Sequence, residues 1–165
     1  MPSIRTKVFL TVGTHPEPFD RLVKEMDRIS KTKKFEVFGQ TGNSAYIPKN
    51  FVFARLLNTV EYSQKAKWAD IIVSHGGAGA IIHAMEHKKK LVVVPRLKDF
   101  SEHTNNHQLD LARVLEKHKK AISLENIQEL EVALQKAKSF SPQFDSTKKN
   151  LITGIANWLS ALEKN

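Results

Sequence analysis

The chain has 165 residues with 41% hydrophobic side chains, and its 26 basic and 17 acidic residues give a formal net charge of +9. This length and composition are typical of one folded domain over residues 1–165 and argue against a disordered chain. The sequence has no cysteine, which excludes disulfides and thiolate zinc sites, and it has no apolar run long enough to cross a bilayer, so we expect a cytoplasmic protein.

Hydrophobic runs and helical periodicity alternate along the chain, which predicts an α/β domain with a mostly parallel sheet and helices on both faces. The predicted strands are Lys7–Val12, Phe35–Phe38, Phe51–Ala54, Ile71–Ser74, Lys90–Pro95 and Ala121–Leu124. The predicted helices follow the apolar stripes of residues 19–29, 62–69, 78–85, 109–115, 127–137 and 151–162, the last belonging to a C-terminal helix at about 147–163. Asn126 is a plausible N-cap for the helix predicted over residues 127–137.

Four loops should meet at one edge of this sheet, because parallel strands place their carboxyl ends together and open α/β sheets bind ligands there. All four loops are glycine-rich or polar, and they are Gly13–His15, Gly39–Gly42, His75–Gly79 and Arg96–Asn106. The sequence therefore predicts one shared cleft.

The stretch from Ile71 to Met85 reads as a buried strand, a glycine turn and the start of a helix. Glycines let the backbone approach an anion, and the N–H groups of a first helical turn attract it, so a phosphate site is one interpretation. A tight strand-to-helix turn without a ligand is the other. The dinucleotide fingerprint fails because Ile82 stands where its third glycine belongs, and neither a Walker-type motif nor a nucleophile elbow occurs.

The histidines of these loops have two interpretations. His103 and His107 are four residues apart and could share a helix face as metal ligands, but no third ligand accompanies them, so we expect no metal. We expect His75, His103 and His107 to donate hydrogen bonds to an anionic ligand, although His75 could equally be a structural turn residue. His83 fits a structural or ribose-facing position better than a catalytic one.

The lysines cluster in short runs, which are most often solvated surfaces and helix ends. The alternatives are an anionic membrane surface, an acidic partner subunit or nucleic acid. Nucleic acid is the weakest, because no aromatic residues interleave with the lysines as a base-stacking surface requires, and we expect no nucleic-acid partner.

Several motifs, taken in order, resemble the glycosyltransferase family 28 C-terminal domain over about residues 7–135. They are Val12–Leu22, Gln40–Gly42, Ser74–Gly79, Val94–Arg96, Glu102–His103 and Asn106–Gln108. Within the family the chain is similar to the small subunit of two-component bacterial polysaccharide glycosyltransferases. It is also similar to the soluble subunit of the eukaryotic dolichol-linked N-acetylglucosaminyltransferase.

The resemblance implies a single Rossmann-like domain that forms the nucleotide-sugar half of a GT-B glycosyltransferase. A membrane-anchored partner subunit would supply the acceptor half and hold the chain at the inner face of the membrane, and the isolated chain could form a homo-oligomer. The implied reaction is inverting transfer of a sugar from a UDP-sugar to a lipid-linked acceptor. It needs no metal cofactor, since a helix dipole and side-chain donors stabilise the leaving diphosphate. The alternative is a non-catalytic nucleotide-sugar-binding or regulatory protein.

The resemblance also implies site residues. His15 and His103 are the catalytic candidates, although the general base could come from the partner. The donor-binding candidates are Gly13, Thr14, His75, Gly76, Gly77, Ala78, Gly79, Arg96, Glu102, Asn106, His107 and Gln108, and the backbone of Leu56–Thr59 matches the uracil-binding loop. The chain departs from the family pattern at Ala80, where many relatives have Ser or Thr, and at His83, where several have Glu.

Overall fold

A computed structural model describes residues 4–143, 153–154, 156–157 and 160–161. In it the chain forms six parallel strands and five α-helices, and a helix follows every strand except the second. The strands are β1 (Thr6–Thr11), β2 (Phe35–Gln40), β3 (Val52–Ala54), β4 (Ile71–Ser74), β5 (Lys90–Val93) and β6 (Ile122–Ser123). The helices are α1 (Asp20–Ser30), α2 (Thr59–Trp68), α3 (Ala78–Glu86), α4 (His107–Lys117) and α5 (Leu130–Ser139), with 3-10 turns at Lys98–Phe100 and Ile127–Glu129. Among the described residues, no helix combines the length and the apolarity that crossing a bilayer requires.

The sheet has the strand order β3-β2-β1-β4-β5-β6, and every neighbouring pair is parallel. This order confirms the predicted single α/β domain with a Rossmann-like parallel sheet. The first three strands extend the sheet to one side of β1, and the last three extend it to the other side. The strand order therefore reverses between β1 and β4, where Thr11 is in register with Ser74. The loops that follow these two strands diverge to opposite sides, and a crevice forms between them.

Side chains that alternate along each strand build two cores, one on each face of the sheet. Val8 and Leu10 of β1 pack with α1 and α5 on one face, and Phe9 packs with α2, α3 and α4 on the other. Burial on both faces explains why the central strands read as nearly continuous apolar runs. The sheet edge that carries the carboxyl ends is thereby held rigidly by both helix layers.

Most element boundaries differ from the predicted ones by a residue or two. β2 runs two residues further than predicted, to Gln40, while the ladder of β5 ends at Val93 instead of Pro95. Val94 still donates its N–H to the Ser74 carbonyl at 2.8 Å. Proline at 95 cannot donate the next ladder bond, which is why the strand ends there.

The start of α5 differs from the prediction in kind. Asn126 accepts a hydrogen bond from the Gln128 N–H at 3.0 Å, but it does so at a 3-10 turn, and α5 begins only at Leu130. Of the predicted closing helix, the described positions 153, 154, 156, 157, 160 and 161 are helical. The apolar positions that predicted it, at 151, 155, 159 and 162, lie outside the described residues.

Candidate functional site

A cleft of about 400 Å³ opens at the carboxyl edge of the sheet, beside the point where the strand order reverses. Its volume is in the range of pockets that hold small-molecule ligands. Residues from the loops after β1, β3 and β4 line it together with the first turns of α2 and α3. They are Thr11, Gly13, Thr14, Gln40, Leu57, Thr59, Tyr62, His75, Gly77, Ala78, Gly79, Ala80 and His83.

The N-terminus of α3 opens into this cleft. Gly77 is the N-cap, and the first helical hydrogen bond runs from the Ile81 N–H to the Gly77 carbonyl at 3.2 Å. The N–H groups of residues 78–80 precede that bond and have no acceptor within the helix. They lie at the positive end of the α3 dipole, so an anion in the cleft would meet free donors and a favourable potential.

Two glycines make room for the His75 ring. A Cβ on Gly13 would lie 2.5 Å from His75 Cε1, and a Cβ on Gly77 would lie 2.5 Å from His75 Nε2. Gly13 also has a φ of +73°, which favours glycine independently. By contrast, a Cβ on Gly79 would meet nothing within 4 Å, because this residue faces open space.

His75 is a buried, uncharged side chain. Burial, and secondarily the positive charge of Arg96, lower the pKa of His75 to about 3. Its Nδ1 lies 3.5 Å from the Thr11 carbonyl, and a hydrogen bond there requires the proton on Nδ1, which leaves Nε2 as an acceptor. These contacts support the structural interpretation of His75 that the sequence left open.

The opposite wall of the cleft is ordered by Gln40. Its side-chain oxygen accepts the Leu57 N–H at 3.0 Å, which fixes the loop that leads into α2. Asn58 then caps that helix in a capping box with Glu61. The loop that the family resemblance assigned to uracil therefore has a defined backbone beside the cleft.

Thr11 and Tyr62 line the cleft, although the sequence did not name them as site residues. The Tyr62 ring packs edge-on against Phe9 at 5.2 Å, and burial raises the pKa of its hydroxyl. The available signals were positional: Thr11 ends a strand at the ligand-binding edge, and Tyr62 lies one turn into the helix that follows the Leu56–Thr59 loop.

Arg96 lies buried between two loops, where its guanidinium donates to protein carbonyls. It bonds the Val12 and Glu17 carbonyls at 2.8 Å and the Glu102 carbonyl at 3.2 Å. Burial lowers its pKa to about 10, so the side chain is still charged at neutral pH. Arg96 thus fastens the loop after β1 to the loop after β5, and its contacts support a positioning role.

Glu102 is similarly engaged within the protein. Its carboxylate accepts two hydrogen bonds from Arg21, at 2.9 and 3.0 Å, and a third from the Leu97 N–H at 3.0 Å. Bidentate pairs of this kind are geometrically specific. Glu102 therefore ties the loop after β5 to helix α1.

His15 and His103 form a stacked histidine pair, with ring centroids 4.8 Å apart. Each ring accepts a local backbone hydrogen bond at Nδ1, from Glu17 in one case and from Asn105 in the other. Burial, and secondarily the Arg96 charge, lower the pKa of both imidazoles. Because Nδ1 of each ring accepts a backbone N–H, each neutral ring carries its proton on Nε2 and can take up a further proton only at Nδ1.

The start of α4 brings together the remaining predicted residues. Gln108 accepts the Arg96 N–H at 3.3 Å, and Asn106 accepts the Lys98 N–H at 3.0 Å. His107 is exposed at the first position of the helix. The predicted donor-binding residues thus form two groups. Those that line the cleft are Gly13, Thr14, His75, Gly77, Ala78 and Gly79, with Gly76 buried in the turn behind them. Those on the loop after β5 and the start of α4 are Arg96, Glu102, Asn106, His107 and Gln108.

Comparison with known proteins identifies relatives of the whole domain. A family model, the glycosyltransferase family 28 C-terminal domain, matches residues 7–160. The UDP-N-acetylglucosamine transferase subunit ALG13 of Homo sapiens is 35% identical over 121 residues, which are 67% of this chain and 10% of that protein. The chain thus spans about a tenth of the length of this curated relative.

Solved structures share the fold at lower identity. The glycotransferase of kitacinnamycin matches with a TM-score of 0.62 and 18% identity, over 98% of this chain and 41% of that one. The solution structure of ALG13 matches with a TM-score of 0.61 and 15% identity, over 90% of this chain and 95% of that one. At these identities the matches show a common fold.

Proposed function

The chain belongs to the glycosyltransferase family 28 C-terminal domain, and from this premise we propose that it is the donor-binding, catalytic subunit of a UDP-sugar glycosyltransferase. In this proposal the cleft holds the UDP part of the donor. The sugar passes, with inversion at its anomeric carbon, to a lipid-linked acceptor held by a membrane-anchored partner subunit. The observation that carries the proposal is the free N-terminus of α3 opening into a cleft at the carboxyl edge of the sheet.

The diphosphate is the part of the donor that the α3 terminus suits best. The N–H groups of residues 78–80 supply donors, and the helix dipole adds about 1–2 kcal/mol for a partly buried charge. Negative charge grows on the diphosphate as the glycosidic bond breaks, so the same groups stabilise the transition state more than the bound donor. The chain itself can supply this stabilisation without a bound metal ion.

The uridine is expected beside the loop that precedes α2. Leu57 and Tyr62 give this end of the cleft an apolar surface, and the backbone of residues 56–59 offers hydrogen-bonding groups to a base. Gln40 holds the Leu57 backbone in place through a hydrogen bond of 3.0 Å. A fixed backbone edge is what discrimination between bases requires, because mismatched donors and acceptors would be left unpaired.

A second subunit is supported by two observations. The human relative is named as a transferase subunit. Leu56 and Val60, which flank cleft-lining residues, are 61% and 65% exposed. Apolar surface beside a cleft is typical of a face that another protein covers.

In this proposal a ring of the histidine pair accepts the proton at Nδ1, after that nitrogen has released the backbone N–H that it accepts in this structure. An inverting transfer requires a base that removes the proton of the acceptor hydroxyl, and the pKa values of His15 and His103 are both lowered, chiefly by burial. His15 lies two residues from Gly13, which lines the cleft.

Binding is tested by calorimetry on the isolated chain in buffer with EDTA. We expect UDP to bind, UDP-sugars to compete with it, and ADP, GDP and CDP to bind at least ten times more weakly, since about 1.4 kcal/mol of lost pairing gives this factor. Equal binding of all four diphosphates would contradict uridine recognition. A failure to bind any of them would overturn the donor-binding role.

Transfer is tested separately, with the chain co-expressed with its membrane partner and supplied with donor and lipid-linked acceptor. His15→Ala should lower kcat and leave the KM for the UDP-sugar within a few-fold, because the histidine acts on the acceptor. An unchanged kcat would show that His15 is not the base. A wild-type pair that binds UDP-sugar but transfers nothing would favour the binding-protein alternative.

A further inference from the structure

The second half of α3 carries a cluster of metal-ligating side chains that the proposed transfer reaction does not use. His83 and Glu86 lie in α3, and His87 is the C-cap residue that follows it. Their spacing of i, i+3 and i+4 places the three side chains on one side of this end of the helix. Two histidines four residues apart on one helix face form the ligand pair of zinc-protease helices, and the H-x-x-E-H order also occurs in zinc enzymes. The sequence pointed to a different pair, His103 and His107, for a metal site.

The geometry brings the three side chains together. One ligand atom of each lies within 4.8 Å of the others, and in the described part of the chain this is the group of three potential ligands that does so. The two imidazole rings are stacked with centroids 5.8 Å apart. A tetrahedral ion with bonds of about 2.0–2.2 Å holds its ligand atoms about 3.4 Å apart. Side-chain rotations that shorten the distances between ligand atoms by about 1 Å would therefore complete the site.

Two ring nitrogens of this cluster lack the partners that buried polar atoms normally have. Nδ1 of His83 and Nε2 of His87 are both buried without a hydrogen bond. Buried side-chain nitrogens are hydrogen-bonded in the large majority of cases, and each exception calls for a ligand or another explanation. We propose that His83, Glu86 and His87 form a binding site for a divalent transition-metal ion of the Zn²⁺ type, at the edge of the cleft.

The ligand set selects the class of ion. Two imidazoles and one carboxylate suit Zn²⁺, Cu²⁺, Ni²⁺ or Co²⁺, whereas Mg²⁺ and Ca²⁺ require oxygen ligands. Glu86 favours positive charge near His87, whereas Lys67 and Lys89 oppose it. An ion that forms strong bonds to neutral imidazole overcomes this opposition.

The site lies beside the cleft because His83 contributes to both. Its ring lines the cleft and lies 5.0 Å from the Tyr62 ring. Bound metal would fix the His83 ring at the cleft edge and leave a coordination position for water or for an oxygen of a ligand. Metal binding does not depend on the proposed transferase activity, because it requires only these three side chains.

The site is tested on the full untagged chain, stripped with EDTA and then dialysed. We expect Zn²⁺ to bind saturably at one ion per chain by calorimetry, and Co²⁺ to give the visible absorption of a low-symmetry nitrogen–oxygen site. His83→Ala and His87→Ala should each weaken Zn²⁺ binding at least tenfold, and Glu86→Gln should weaken it less. His118→Ala, which removes an exposed histidine of another helix, is the matched control and should bind like wild type.

Circular dichroism of each variant establishes that a loss of binding is not a loss of folding. Zn²⁺ should also raise the melting temperature of wild type, and have a smaller effect on the His83→Ala chain, because an ion that binds the native state stabilises it. Absence of saturable Zn²⁺ binding to wild type would overturn the proposal. So would unchanged binding in both histidine variants.

Discussion

Two alanine substitutions at the start of α3 test whether the packing of His75 requires glycine at position 77. Gly77 has φ −68° and ψ 149°, which any residue adopts, so Gly77→Ala introduces no backbone strain. Its new Cβ would nevertheless lie 2.5 Å from His75 Nε2 and 2.7 Å from Cε1. Gly79→Ala is the matched control, since its Cβ meets nothing within 4 Å.

The two substitutions should change the free energy of unfolding in opposite directions. Displacing a packed ring costs about 1–3 kcal/mol, and the contact of His75 with the Thr11 carbonyl is lost with it. Replacing a helical glycine that has free space by alanine stabilises by about 0.5–1 kcal/mol. We therefore expect Gly79→Ala to be about 1.5–4 kcal/mol more stable than Gly77→Ala.

Urea unfolding at pH 7.5 measures both variants, and a double-mutant cycle isolates the cause. In a His75→Ala background the obstructing ring is gone, so Gly77→Ala should cost little, and the coupling energy should account for most of the single-variant loss. Equal stability of the two alanine variants would refute this account. So would a loss in Gly77→Ala that persists when His75 has been removed.

Three further predictions concern buried polar side chains. The pKa of His75 is about 3 in the folded chain against 6.5 for the free side chain, so the unfolded state binds more protons and stability is lost as pH falls from about 6.5 towards 3. At pH 5 this loss is about 2 kcal/mol relative to pH 8, and urea unfolding of His75→Asn should show a flatter pH profile, whereas parallel profiles would contradict it. Glu102→Ala leaves Arg21 without its carboxylate and should lower the free energy of unfolding by about 2–3 kcal/mol, while a loss below about 0.5 kcal/mol would show that the pair is not formed. Asp27→Ala removes a buried acceptor of the Tyr46 hydroxyl and of two backbone N–H groups, and it should lower the free energy of unfolding by about 3 kcal/mol in thermal unfolding. Asp27→Asn keeps an acceptor oxygen and should lose less stability, whereas equal losses in the two variants would show that the carboxylate charge does not contribute.

The sheet and its ligand-binding edge could be predicted because they depend on local patterns. Apolar runs bounded by glycine or polar loops identified every strand, and parallel strands force their carboxyl ends to one edge. The glycine turn before α3 was visible for the same reason. The ends of the elements were harder to predict. The apolar run continues from Val93 to Pro95, and only the ladder hydrogen bonds, which the sequence does not show, end β5 at Val93.

The roles of individual loop residues could not be read from the sequence, because they depend on contacts between distant segments. Gly13 and Gly77 are 64 positions apart, and nothing local indicates that both make room for the ring of His75. The family resemblance implied a donor-binding role for Arg96, and only the fold shows that its guanidinium bonds carbonyls of the loop after β1. Tyr62 reads as a core aromatic until the fold places it beside the cleft.

The central claim is that the N-terminus of α3 binds the diphosphate of a UDP-sugar. Gly79 offers a direct test, because its side-chain position is exposed and free of neighbours and an acidic residue in a first helical turn is compatible with folding. Gly79→Asp places a negative charge where the diphosphate is expected, and Gly79→Asn places an uncharged group of the same size there.

The decisive measurement is the affinity of UDP for these two variants by calorimetry. The account predicts that Gly79→Asp weakens UDP binding at least tenfold relative to Gly79→Asn, a difference of about 1.4 kcal/mol or more. UDP binding of equal strength in both variants would show that the diphosphate lies elsewhere.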